Sequence, residues 1–355
     1  MSADEELRVV LAGASSGIDP GRLARRHGCR ALLRSGPSAL ARMGALPVLA
    51  DALALAREAD VAVYRAGLEQ RGIACATLSE PAYPAKLREL HDPPLAIFTS
   101  GPRLDALESP SRAAGIVGSR RPSEAGLRLA GRLGSAVAGS GGLVVSGLAL
   151  GIDAAAHGGA LEAGGVTVAV LGCGVDIAYP RTNRRAFERI RERGLLLSEY
   201  PPGTRPAPWR FPARNRLIAA LSDAVVVVEA RASSGALITA DHALDLGRDV
   251  LAVPGSPGIA GAAGANGLLK AGAGLIEGPD DLCAWLGLDP PVPATASEPK
   301  GEPARVLSAL ANQPAAPDEL AVRLGLPASA IASALTRLEL DGRVVRDESG
   351  RMRPG

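Results

Sequence analysis

The stretch Ala113-Ala114-Gly115-Ile116-Val117-Gly118-Ser119-Arg120-Arg121-Pro122-Ser123 decides how this chain is read. An apolar run ends in a small residue, a hydroxyl and two guanidiniums, then passes through Pro122 and Ser123 into a helical pattern. That is the signature of a buried parallel strand running into a helix N-terminus, where backbone N–H groups and fixed positive charge meet. The turn is an anion site in outline.

Three more apolar runs end in turns of the same kind. Leu143-Val144-Val145 leads into Ser146-Gly147-Leu148-Ala149-Leu150-Gly151-Ile152-Asp153, Val166 to Leu171 into Gly172-Cys173-Gly174-Val175-Asp176, and Ala224 to Val228 into Glu229-Ala230-Arg231-Ala232-Ser233-Ser234-Gly235. Strands are expected at 113–118, 142–146, 166–171, 195–198, 224–229, 249–253 and 273–276, with helical periodicity between them. This alternation implies βαβ crossovers: an α/β fold with a Rossmann-like, mainly parallel sheet and helices on both faces. In such a sheet the ligand crevice lies outside the carboxyl ends of the strands, so these turns are expected to converge on one ligand.

Flanking domains follow from the punctuation. Residues 1–100 read as a helical domain of helix-hairpin-helix or SAM type, with helices at Leu23–Arg34, Pro37–Met43 and Val48–Arg71 and a short strand at Gly72–Leu78. The Rossmann-like domain is expected over 101–287, and the proline-rich stretch 288–303 is a linker. Within 304–355, helices at 304–311, 317–324 and 327–341 precede a hairpin, Gly342–Arg346 to Arg351–Arg353, which together make a winged helix. Its third helix offers Ile331, Leu335 and Leu338 to a core and only Arg337 as a cation beside Glu339 and Asp341. Residues 302–355 hold seven acids and seven arginines, so a protein-docking or structural role is favoured over duplex reading.

Composition excludes several classes. The chain of 355 residues is 47% hydrophobic and 21% charged, which suits two or three globular domains. The acidic start (Ser2-Ala3-Asp4-Glu5-Glu6) and the lack of an apolar run near about 18 residues argue for a cytoplasmic protein without membrane attachment. Cys29, Cys75, Cys173 and Cys283 form no C-x-x-C pair. Asp153 and His157 stand at i, i+4, but no third residue completes a metal site, and no metal is expected. With three lysines (Lys86, Lys270, Lys300) the chain has no P-loop. Ile177 replaces the third glycine of a dinucleotide fingerprint, so no cofactor is expected. The one G-x-S-x-G match, Gly13 to Gly17, lies outside the α/β alternation.

Charge becomes informative once localised. Residues 181–193 carry Arg181, Arg184, Arg185, Arg189, Arg191 and Arg193 against Glu188 and Glu192, a pattern that also fits a solvated helix face with i, i+4 pairs. Residues 205–216 carry Arg205, Arg210, Arg214 and Arg216 with no acid at all, the footprint of a polyanion site. Trp209 and Phe211 flank Arg210. In an extended segment they would project to one side with Arg210 on the other, and one of them is a candidate to stack on a base, with a place in the hydrophobic core as the alternative.

These residues resemble those of the bacterial DNA-processing protein A (DprA/Smf) family. The resemblance rests on V-G-S-R-R-P at 117–122, S-G-L-A-L-G-I-D-A-A-A-H at 146–157, L-G-C-G-V-D at 171–176, S-E-Y-P-P-G at 198–203, F-P-A-R-N-R-L-I-A at 211–219, E-A-R-A-S-S-G-A-L-I-T-A at 229–240 and A-V-P-G at 252–255. It covers roughly residues 80–285. It implies a non-enzymatic protein that binds and protects single-stranded DNA entering the cell during natural transformation, loads a RecA-type recombinase on it and works as a homodimer. The DNA-binding set expected on this chain is Gly118, Ser119, Arg120, Arg121, Ser146, Gly147, Trp209, Arg210, Phe211, Arg214, Asn215, Arg216, Ser234 and Gly235. The family often has lysine in its pocket and this chain has almost none, so a guanidinium fork would take the place of an ammonium. The alternative is a phosphoribohydrolase of nucleoside monophosphates on a related Rossmann-like fold, although the P-G-G-x-G-T motif of those enzymes is missing.

Overall fold

The computed structural model describes residues 2–107, 112–289, 301–340, 343–347 and 350–354. The chain divides into two compact units, Met1–Pro291 and Val292–Gly355.

The first unit is built on one nine-stranded sheet: β1 (Ile73–Thr77), β2 (Ala96–Ser100), β3 (Ala113–Val117), β4 (Leu143–Ser146), β5 (Val166–Val170), β6 (Leu195–Ser198), β7 (Ala224–Val227), β8 (Asp249–Ala252) and β9 (Gly274–Leu275), in the order β1-β2-β6-β5-β4-β3-β7-β8-β9. Strands β3 to β9 are parallel, while β1 and β2 pair antiparallel at one edge. From β3 the chain winds outward through β4, β5 and β6, then returns to place β7 on the other side of β3. The switch point therefore lies between β3 and β7, where a parallel sheet opens a crevice at its carboxyl edge.

Both faces of the sheet are covered. Alternation along the strands sends Val117, Val145, Val170 and Val227 to one face, with Leu217 and Leu221 of the helix Arg210–Leu221. Ile116, Val144 and Val226 go to the other, packed with Leu133 and Val137 of the helix Glu124–Gly139 and Ile152, Ala156 and Ala160 of the helix Ile152–Glu162. Strands buried on both sides carry near-continuous apolar runs, which is why they are legible in the sequence.

The N-terminal region differs from its sequence-based outline in four places. The helix Ala3–Ser16, opened by a capping box of Ser2 and Glu5, was not among those expected. The expected helix 23–34 is two, Gly21–His27 and Cys29–Arg34, because Gly28 takes φ 82° between them. The expected helix 48–71 is also two, Pro47–Arg57 and Val61–Glu69, the second capped by Asp60 through the N–H of Val63. Finally, β2 was not expected, and β1 and β2 join the large sheet, so that sheet draws strands from residues placed in the helical domain. Pairing with distant strands decides this, and local periodicity does not report it.

The second unit has helices Glu302–Asn312, Pro317–Leu324 and Ala328–Leu340, followed by an antiparallel hairpin of β10 (Val344–Arg346) and β11 (Met352–Pro354). Val306, Leu310, Leu320, Ile331, Leu335, Leu338 and Met352 form its core. Most of the expected linker 288–303, the end of the expected third helix at Asp341, the start of the expected hairpin at Gly342 and part of the hairpin turn lie outside the described residues.

Candidate nucleic-acid interface

A cleft of about 190 Å³ opens at the switch point, lined by Gly118 and Arg120 after β3, Ala149 and Asp153 after β4, Phe211, Arg214 and Asn215 on the helix Arg210–Leu221, and Ser234 and Gly235 after β7. Three of the four strand-end turns contribute to it or adjoin it. The fourth, Gly172 to Asp176, is closed off: a Cβ at Gly172 would stand 2.9 Å from the Phe211 ring.

Two arginines set the charge of the cleft. Arg120 is exposed, makes no ion pair among the described residues, and holds its guanidinium 5.8 Å from the centroid of Phe211. The carboxylates that could have neutralised it are engaged elsewhere. Asp176 accepts from Arg71 and from the N–H of Gly203, and Asp153 accepts from the N–H groups of Gly147 and Ala149 at 3.1 and 3.3 Å. Arg214 is buried, 4% exposed, and donates to the carbonyls of Gly147 (2.8 Å) and Val170 and to Asn215 Oδ1 (3.0 Å). Its pKa is lowered, first by burial and further by the nearby Arg120, against the attraction of Asp153. Gly147 is required here, because a Cβ would lie 2.1 Å from the Arg214 guanidinium.

The opposite wall is the start of the helix Gly235–Asp245, where Ser234 caps the N–H of Ala236 and Asn215 Nδ2 donates to Gly235 O at 3.2 Å. The positive end of that helix adds to the two guanidiniums. The cleft thus offers an exposed guanidinium with no ion pair among the described residues, a buried guanidinium, a helix N-terminus and an aromatic ring, a combination suited to a phosphate with a base beside it.

Seven of the fourteen expected residues line the cleft: Gly118, Arg120, Phe211, Arg214, Asn215, Ser234 and Gly235. The other seven are placed otherwise. Ser119 donates its N–H to Glu229 O and its hydroxyl oxygen accepts from the N–H of Arg121, and Arg121 is exposed beside the cleft. Ser146 is buried and donates to Ile116 O, while Gly147 lies under Arg214. Trp209, Arg210 and Arg216 line a different cleft, with Tyr200, Pro94 and Gly17. There Arg210 lies over the rings of Tyr200 (4.8 Å) and Trp209 (5.0 Å) and donates to Arg205 O. Residues 209–211 are not extended: Trp209 precedes the helix that Arg210 opens, which turns Trp209 and Phe211 to separate clefts.

The stretch 205–216, free of acids in sequence, is therefore not free of partners. Arg216 forms a two-pronged pair with Glu199 (2.9 and 2.7 Å) and a third contact with Asp92 (3.1 Å), which holds its pKa well above the ordinary arginine value despite burial. Sequence reasoning also passed over Tyr179, stacked on Phe211 with centroids 5.2 Å apart and planes 21° apart. The one signal for it was its place between the Gly172 turn and the first arginine of the 181–193 run.

His157, weighed with Asp153 as a metal pair, lies buried with Nδ1 2.7 Å from Thr167 Oγ1. That hydroxyl donates to Val144 O, so it accepts from His157, and burial pushes the imidazole pKa down to about 3.

A family model for DNA recombination-mediator protein A matches residues 74–287, and one for the DprA winged helix domain matches residues 289–350. The chain belongs to the DprA/Smf family. Among DprA relatives, the Protein Smf of Synechocystis sp. is 47% identical over 216 residues, covering 60% of this chain and 54% of that protein. A putative DNA processing protein DprA of Mycobacterium tuberculosis is 43% identical over 267 residues, 73% of this chain and 68% of that one. The chain thus matches about half the length of the first relative and two thirds of the second. In structure it resembles DprA of Streptococcus pneumoniae (TM-score 0.65, 32% identity, covering 80% of this chain and 98% of that one). It also resembles DprA of Helicobacter pylori, whose structure was described for its single-stranded DNA binding mode (TM-score 0.55, 31% identity, 60% and 96%). Among the described residues of this DprA member, no helix is long and apolar enough to cross a membrane.

Proposed function

We propose that this protein binds single-stranded DNA in the switch-point cleft, protects it, and loads a RecA-type recombinase on it during natural transformation, acting as a homodimer. The observation that carries the reading is the unpaired Arg120 beside Arg214, Phe211 and the start of the helix Gly235–Asp245 in one cleft. Relatives described as recombination mediators and as single-strand binders support it. A gel shift with single-stranded and duplex DNA at several salt concentrations tests the binding step. Selective binding of the single strand is expected, and equal affinity for duplex would overturn it. Recombinase loading is tested by filament assembly on DNA precoated with a single-strand binding protein, and the homodimer by light scattering over a range of concentrations.

A non-enzymatic role is part of the same proposal. Asp153 is tied to two backbone N–H groups, and Glu229 accepts from both the N–H and the hydroxyl of Ser123. Neither carboxylate is left to serve as general acid or base in glycosidic cleavage, which disfavours the phosphoribohydrolase alternative. Incubation with nucleoside monophosphates should release no free base.

A further inference from the structure

The cleft at the switch point ends at Phe211, and what lies beyond that ring is ordered for a continuing strand. Tyr179 stacks on Phe211 and is 42% exposed, so it carries the aromatic surface from the cleft toward solvent. The short turn Arg181–Asn183 that follows is held against the same rim: Asn183 Nδ2 donates to Leu148 O at 3.0 Å and Ala149 O at 3.1 Å, and Ala149 itself lines the cleft. From this anchored turn the helix Arg184–Arg193 runs away from the cleft, with Phe187 and Ile190 buried and Arg184, Arg185, Arg191 and Arg193 exposed.

Those arginines do not behave as a self-neutralising helix face. Among the described residues the only ion pair on this helix is Arg191 with Glu188, while Arg181, Arg184 and Arg185 have none. Arg189 and Arg193 also lack an ion pair among the described residues, and Arg181, Arg184 and Arg185 are the three that stand at the end nearest the cleft. A helix of ten residues is about 15 Å long, enough to follow several nucleotides beyond the one seated at Phe211.

We propose that the bound single strand leaves the cleft over Tyr179 and continues along this helix, with Tyr179 stacking on a base and Arg181, Arg184 and Arg185 meeting successive phosphates. The proposal rests on the reading of the cleft as a single-strand site. It extends the interface by a second aromatic and a second cationic segment, and it makes affinity depend on strand length. Stacking and backbone charge tolerate any sequence, so the extension is sequence-blind.

The test is fluorescence anisotropy on the full chain with oligothymidylates of about 5 and about 20 nucleotides, repeated across salt concentrations. The native protein should bind the long oligomer more tightly and with a steeper salt slope. The double substitution Arg184→Ala/Arg185→Ala should lower the long-oligomer slope by about 1.4, about 0.7 for each lost phosphate contact, and leave the short-oligomer slope in place. Tyr179→Ala should weaken the long oligomer about tenfold, and Tyr179→Phe, which keeps the ring, should restore it. Melting temperatures on the same preparations confirm that the variants are folded. A long-oligomer affinity and slope unchanged in both Arg184→Ala/Arg185→Ala and Tyr179→Ala would overturn the proposal, as would equal losses for the two lengths. Failure of the cleft reading gives a different result: Arg120→Ala would then leave short-oligomer binding untouched.

Discussion

Arg120 and Arg214 enter one cleft with different tasks. Arg214 is enclosed and satisfied by carbonyls and Asn215, whereas Arg120 lies over the Phe211 ring with no ion pair among the described residues, which on the proposed reading leaves it to meet a phosphate. Arg120→Ala should therefore lower the salt slope for single-stranded DNA by about 0.7 and weaken all sequences alike. With no ion pair to lose, its melting temperature should stay near that of the native protein. A stability loss with an unchanged slope would remove Arg120 from the interface. Gly147→Ala should do the opposite, lowering the melting temperature because its methyl group would meet the Arg214 guanidinium. His157 gives a pH signature. Its folded pKa, about 3, lies below the unfolded value of about 6.5, so the unfolded chain binds the extra proton first. The stability this group contributes is complete above about pH 6.5 and is lost as pH falls from there toward about 3. Thermal melts at about pH 7 and about pH 5 should show the decline, and His157→Asn should flatten it.

The helix Arg210–Leu221 shows how one element serves several purposes. Its arginines diverge, with Arg210 between two rings, Arg214 in the cleft and Arg216 on Glu199 and Asp92. The Arg216 and Glu199 side chains are 11% and 13% exposed, so their pair is largely desolvated, and Asp92 ties the helix to the segment before β2. Breaking such a pair strands a buried charge. Glu199→Gln should cost about 3 kcal/mol in chemical denaturation while leaving the salt slope of DNA binding intact. A large change in slope would mean that Arg216 contacts DNA after all.

Across the whole molecule, the arginines of the cleft and of the helix Arg184–Arg193 belong to the first unit, while residues 302–355 carry equal numbers of acids and arginines. A chain ending at residue 289 should keep its affinity for single-stranded DNA and its preference over duplex, as read by gel shift at two salt concentrations. Loss of binding on that truncation would move the interface to the second unit. The nine-stranded sheet gives the first unit its rigidity, and its switch point brings turns separated by more than a hundred residues in sequence to one opening.

Much of this architecture is local and therefore legible in the sequence. The apolar strands β3 to β8 and the strand-to-helix turn at Gly118 are set by burial on both faces and by what a helix N-terminus requires. The three helices and the hairpin of the second unit are legible from their one-sided apolar periodicity and turn residues. Seven of the cleft residues were within reach for the same reason, because strand-end turns in a parallel sheet open on one side. Tertiary structure alone decided the rest. Arg216 finds Asp92 across 124 positions, β2 pairs with β6, and the helical turn at Arg210 separates Trp209 from Phe211. Composition had marked 205–216 as unpaired because its acids lie elsewhere in the chain. Coulomb attraction and hydrogen bonding depend on distance in space, and periodicity reports only what neighbours along the chain share.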